Sequence, residues 1–266
     1  MFVFELTIPG TWLDSEDQDW KHKIENLIRH LESQFIEANV ALNLFNQAQT
    51  DIQDSIPLHL VAESWQRDQD RRAEIRRDVE REMEGPVLAE NWHKISFETE
   101  IRFKREQWMN GQVPRRFTHV EPFIFARAFL YALDAFDKFL GVLAKENGVP
   151  AEIATFHQQV SDAFPDLRGV RNSAQHLEDR ARGLGAGRNP KPMELQPIQN
   201  AAIYAPQGGV LALNNLNGSR YGSTTADGHY GEVDVSPESL AHLQRIFEGA
   251  LNSFKWCGPQ RHIPDV

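Results

Sequence analysis

The segment Arg171-Asn172-Ser173-Ala174-Gln175-His176 places a permanent cation, an amide and an imidazole within six residues. Histidine changes charge near neutral pH, so it can take or give a proton. Arginine keeps its charge and presents a planar fork of donors suited to phosphate oxygens. Such a set could cleave RNA without a metal. The imidazole would move the proton of the 2′-hydroxyl or of the leaving group, and the guanidinium would offset charge on the phosphorane. The amide of Asn172 would orient either one. The alternative reading is a solvated helix face, with Arg171 paired to a neighbouring acid.

A helix must position these groups. Pro165 suits the first turn of one. Leu167, Val170, Ala174, Leu177, Ala181 and Leu184 then recur at spacings of three and four, which predicts one helix with a core stripe to residue 184. Arg171, Asn172, Gln175, His176, Asp179 and Arg182 fall on the opposite, polar side. On that reading Arg171→Ala and His176→Ala each cost under about 1 kcal/mol, and Leu177→Ala costs about 2–5 kcal/mol. From Asp166 to Lys191, Arg168, Arg171, Arg180, Arg182, Arg188 and Lys191 outnumber Asp166, Glu178 and Asp179. This basic stretch favours a short single-stranded RNA over long duplex. Arg168, Gln175, Arg180 and Arg182 are the expected RNA contacts. Otherwise these arginines pair with acids of the charged second helix.

The pattern of arginine, polar residue, three variable residues and histidine, at the start of the last helix of a bundle, resembles the signature of HEPN-superfamily ribonucleases. The resemblance covers about residues 88–185. It implies a helical bundle that dimerises so that two motif helices face each other, giving a composite site that needs no metal or other cofactor. It implies Arg171 at the scissile phosphate, Asn172 as an orienting group and His176 as acid or base. Such proteins act as toxins or phage-defence effectors, with RNA as substrate and a regulatory protein as a further partner. Some HEPN toxins carry a modifiable tyrosine two residues after the histidine. Glu178 stands there in this chain, which argues against that mode of control.

The fold class expected is mainly α: a HEPN-like bundle at 87–185, an N-terminal helical region at 1–86, and a linker, β-hairpin and final helix at 186–266. Ser15 and Gln18 read as a capping box for a helix to the mid-forties. Pro57 opens a second helix to about Glu84, dense in alternating charge and read as solvated. A third restarts after Gly85-Pro86 and stops at Gly111 and Pro114. Pro122 to about Glu146 is apolar on most sides and therefore central. A short helix then runs to Phe164. Asn217-Gly218 and Asp227-Gly228 mark hairpin turns, Ser236-Pro237 caps the last helix, and the tail from Cys257 reads as irregular.

The 266 residues carry a net charge of −10, which argues against non-specific duplex binding by counterion release. Cys257 is the one cysteine, so no internal disulfide forms. The start of the chain lacks the basic stretch of a signal peptide, and the apolar run 123–143 is interrupted by Arg127, Asp134, Asp137 and Lys138. A cytoplasmic protein that avoids membranes is expected. Other candidates are weaker. Glu90-x-x-His93 has di-iron spacing but no second copy. Gly183-Leu184-Gly185-Ala186-Gly187 follows a helix and reads as its C-cap and linker rather than a phosphate loop. His229 reads as a surface turn residue.

Overall fold

The computed structural model describes residues 1–53, 58–83 and 91–265. Pro57, Glu84, Gly85, Pro86 and Glu90 lie outside them, and with them the second helix's ends, the third helix's start and half of the di-iron pair.

In chain order the elements are β1 (Leu6–Ile8), β2 (Trp12–Leu13), α1 (Gln18–Gln53), α2 (Leu58–Glu82), α3 (Trp92–Met109), α4 (Arg115–Leu143), α5 (Glu152–Ala163), α6 (Leu167–Gln175), α7 (Leu177–Ala181), β3 (Ile198–Gln199), β4 (Tyr204–Ala205), β5 (Asn215–Asn217), β6 (Arg220–Thr224), β7 (Tyr230–Asp234), α8 (Pro237–Asn252), β8 (Trp256–Cys257) and β9 (Arg261–Ile263). The protein is mainly helical, with small antiparallel sheets. Two compact units result, one of residues 1–47 with 122–266 and one of residues 48–121. The boundaries at 86 and 185 read from the sequence are not those of the folded units. The first strands and the last pair across the chain, which no local pattern announces.

The first unit holds the main core. On α1 the buried residues Ile24, Ile28, Leu31, Phe35, Ala38, Leu42 and Phe45 alternate spacings of four and three, a continuous seam along one side. Phe129, Leu133, Phe136 and Leu140 of α4 join the same cluster, with Ile153 and Val160 of α5 and Leu243 and Phe247 of α8. The Phe247 ring meets Phe136 edge-on with centroids 5.3 Å apart and Phe35 at 6.1 Å. Gly249 lets α8 press on α5: a Cβ there would sit 2.3 Å from Phe156 Cε1.

The expected elements shift in instructive ways. Asp17, not Ser15, caps α1, its carboxylate accepting from the Trp20 backbone N–H at 3.0 Å. The fourth helix begins at Arg115, so Pro122 lies inside it rather than at its start. One stripe of α4, at Ile124, Ala128, Tyr131 and Val142, remains exposed. Both hairpin turns form, β5 pairing with β6 around Asn217-Gly218 and β6 with β7 around Asp227-Gly228. Ser236 Oγ accepts from the Ser239 N–H at 3.2 Å, the cap foreseen for α8. The tail is not irregular. Residues 261–263 pair with Leu6–Ile8, and Trp256–Cys257 pair with Trp12–Leu13.

In the second unit, Ile75 and Val79 of α2 meet Ile95 and Phe103 of α3. So small a core is flanked by ion pairs: Arg71 with Glu106, Arg72 with Glu100 and Arg102 with Glu82. The dense charge of α2 is used against α3, each exposed pair contributing at most about 1 kcal/mol.

Candidate functional site

Helix α6 carries Arg171 and is shorter than its sequence period suggests. Leu167 and Val170 enter the core as expected. The helix then ends at Gln175, and His176 takes φ −114°, ψ 44°, outside helical space. A second short helix, α7, starts at Leu177. The single helix expected to residue 184 is thus two pieces with His176 at the joint. Leu177 and Leu184 are only half-buried and Ala181 is exposed, because the break turns the stripe away from the core.

Arg171 does not lie on a solvated face. It is 9% exposed, and its partner is Asp134 of α4. Nη2 donates to Asp134 Oδ1 at 2.9 Å, Nε lies 2.9 Å from Oδ2, and Nη1 donates to Gln175 Oε1 at 2.5 Å. Lys138 Nζ donates to Asp134 Oδ2 at 2.6 Å. One buried carboxylate therefore holds two cations. The local geometry is simple. Asp134 and Lys138 are one helical turn apart on α4, Arg171 and Gln175 one turn apart on α6, and the two pairs interlock. A carboxylate in so apolar a helix needs such partners, because an unpaired buried charge is costly.

Asn172 is half-buried, its backbone carbonyl accepting from the His176 N–H at 3.0 Å. The His176 side chain is 58% exposed, with Nδ1 3.8 Å from Glu178 Oε1. Among the described residues, no hydrogen bond or ion pair joins His176 to Arg171. Donor atoms of His176, Glu178 and Asp179 lie within 4.8 Å of one another, so among the described residues they are the one group that could hold a metal. Asp179 already accepts from Arg182 Nη2 on Oδ1 at 2.5 Å, so an ion would share that carboxylate with the guanidinium.

The expected RNA contacts separate. Arg180 is 1% exposed, which corrects its place among surface cations. Its Nη1 donates to the carbonyls of Leu184 and Gly185 at 2.6 and 2.7 Å, and Nε reaches Ser173 Oγ at 3.4 Å. It closes the end of α7 and meets no solvent. Gln175 is exposed but accepts from Arg171, and Arg182 is exposed but paired. Among the described residues, Arg168 alone of the four is exposed without a hydrogen-bonded partner. Its charge acts on Asp137, whose carboxyl burial pushes above the ordinary aspartate value of 3.8 while His157, Arg168 and Lys138 pull it down. His157 Nε2 lies 3.2 Å from Asp137 Oδ1.

Asp134 is the residue the sequence reading passed over as a functional partner. The signal was present: Asp134 and Lys138 four apart in an otherwise apolar helix. Arg180 had a signal too, standing seven residues from buried Ser173 at the edge of the core stripe. His229 behaves as expected of a turn residue, 68% exposed with Nδ1 3.4 Å from Asp227. No family model, curated protein or solved structure matches the chain.

Proposed function

We propose that this is a HEPN-like helical binding protein in which the Arg171-Asn172-His176 segment is a structural joint. One observation carries the reading: the guanidinium of Arg171 is buried and occupied by Asp134 and Gln175. A cation that stabilises a phosphorane must point donors at it. Releasing Arg171 for that task would leave Asp134 in a buried setting with Lys138 as its remaining cation. Support for the HEPN-like bundle is the resemblance of the motif together with the break just ahead of α6.

The second reading is a metal-independent endoribonuclease acting as a homodimer, in the manner of a toxin or phage-defence effector. The exposure of His176 beside half-buried Asn172 favours it. A two-fold axis through this face would supply two imidazoles, one as base and one as acid. The exposed stripe of Ile124, Ala128, Tyr131 and Val142 offers apolar surface to such a dimer. RNA incubated in EDTA with the wild type and with His176→Ala separates the readings. The binding reading expects no cleavage that depends on His176. Cleavage that survives EDTA, leaves a 2′,3′-cyclic phosphate and disappears in His176→Ala overturns it in favour of the nuclease.

A further inference from the structure

From the second compact unit we infer a binding groove for single-stranded nucleic acid. The inference goes beyond the reading of the Arg171 segment and stands whichever way that reading falls. The groove is open, about 1320 Å³, and lies between α2, α3 and the first turn of α4. Three aromatic side chains on it face solvent: Trp65 is 60% exposed, Trp108 50% and Phe117 63%. Three cations stand among them, Lys104, Arg115 and Arg116, all exposed.

The sequence explains why these groups are left over. On α3, Ile95, Thr99 and Phe103 turn inward, so Lys104 and Trp108, one turn apart, turn outward. Gly111, at φ +85°, then reverses the chain, and Pro114 leads into α4. Arg115, Arg116 and Phe117 therefore fall on the opening turn of a 29-residue helix, where unpaired N–H groups add positive potential. The acids nearby are consumed elsewhere: Glu100 and Glu106 by Arg72 and Arg71, and Glu82 and Glu98 by Arg102. Arg72 also lies 3.7 Å over the Phe103 ring and stiffens the groove floor. Among the described residues, Lys104, Arg115 and Arg116 have no acidic partner. Among the described residues, Asp68 is the single carboxylate lining the groove.

Exposed aromatic faces interleaved with unpaired cations match the chemistry of a single strand: bases stack on rings of any type, and phosphates meet the cations. Duplex keeps its bases stacked inside and offers the rings nothing. An acidic peptide would use the cations and leave the rings idle. This locates a basic, aromatic patch on a protein that is acidic overall.

The test uses the full chain and fluorescence anisotropy. The probes are fluorescein-labelled oligouridylate and oligodeoxythymidylate of about twelve nucleotides, a length within the usual site sizes. A hairpin duplex and a Glu/Tyr peptide complete the set. Binding of RNA, of DNA or of both single strands supports the site, and the comparison says which sugar it takes. Trp108→Ala and Phe117→Ala should each weaken binding about tenfold or more. Arg115→Ala and Arg116→Ala, on exposed positions, should each flatten the dependence of log K on log salt by about 0.7. Circular dichroism of each variant separates lost binding from lost fold. Equal affinity for the duplex or the peptide, an unchanged salt slope in both arginine variants, or no binding of either single strand overturns the inference. Cleavage is scored on the same samples in EDTA, so the groove and the His176 segment succeed or fail independently.

Discussion

Replacing Arg171 by alanine distinguishes a structural lock from a poised catalytic cation. On an exposed helix face the change would cost under about 1 kcal/mol. The folded protein places Arg171 and Asp134 at 11% and 9% side-chain exposure, with one hydrogen bond from Nη2 to Oδ1 and Nε 2.9 Å from Oδ2. Removing one partner of a buried ion pair costs about 3–5 kcal/mol, chiefly because the other charge stays behind. Here Lys138 remains 2.6 Å from Asp134, but its side chain is 58% exposed and water weakens its hold. The expected cost of Arg171→Ala is therefore about 2–4 kcal/mol. Asp134→Ala should cost a similar amount, because Arg171 then loses its carboxylate. In Asp134→Ala/Arg171→Ala neither charge is stranded, so the double variant should be more stable than the summed single costs imply, by about 2 kcal/mol. Urea unfolding followed by tryptophan fluorescence and far-ultraviolet dichroism measures all four proteins, compared at a common m-value. A cost under about 1 kcal/mol for Arg171→Ala, or strict additivity in the cycle, would refute the lock and return Arg171 to the pool of available cations.

Other substitutions probe the same region and its support. Arg180→Ala should destabilise by about 3 kcal/mol, because the carbonyls of Leu184 and Gly185 lose their donor in a buried setting; thermal unfolding measures it, and a neutral result would mean water replaces the guanidinium. Gly249→Ala drives a methyl into Phe156 and should cost about 1–3 kcal/mol by overpacking, read by the same melts. Asp137→Asn has a pH signature. The folded carboxyl is raised above 3.8, mainly by burial, so ionising it opposes folding. Wild type and variant should match at pH values below that of a free aspartate, and the variant should gain relative stability as pH rises from there through the raised value. A gap that narrows instead over that range would show that the charged partners outweigh burial.

What could be read from the chain was local. The Ser236 cap and the two hairpin turns depend on residues a few positions apart, and both features are present. Strands β1, β2, β8 and β9 are two or three residues long and pair across most of the chain. No periodicity develops in so short a segment, so Leu6–Ile8 read as a lead and Arg261–Ile263 as a tail. The surroundings of the candidate site were hidden for a related reason. The order Arg171-Asn172-x3-His176 fixes residue types, while burial of Arg171 is decided by Asp134, 37 positions away on another helix. The groove residues were visible as Trp108, Arg115 and Arg116, but the reading of solvated charge on α2 left their neighbours' ion pairs uncounted.

The pairing of Leu6–Ile8 with Arg261–Ile263 bears on how the chain is made. The ribosome delivers residues 1–47 well before their strand partners. At about 5–20 residues per second, roughly a quarter to most of a minute separates Leu6 from Ile263. Throughout that interval the seam of α1, with Leu31 and Phe35, has no α8 to cover it. Residues 48–121, being contiguous, carry Ile75, Val79, Ile95 and Phe103 together long before Ile263 is made. Residues 48–121 should thus mature while α1 still waits, in need of a chaperone, for α8 and the strands that follow it.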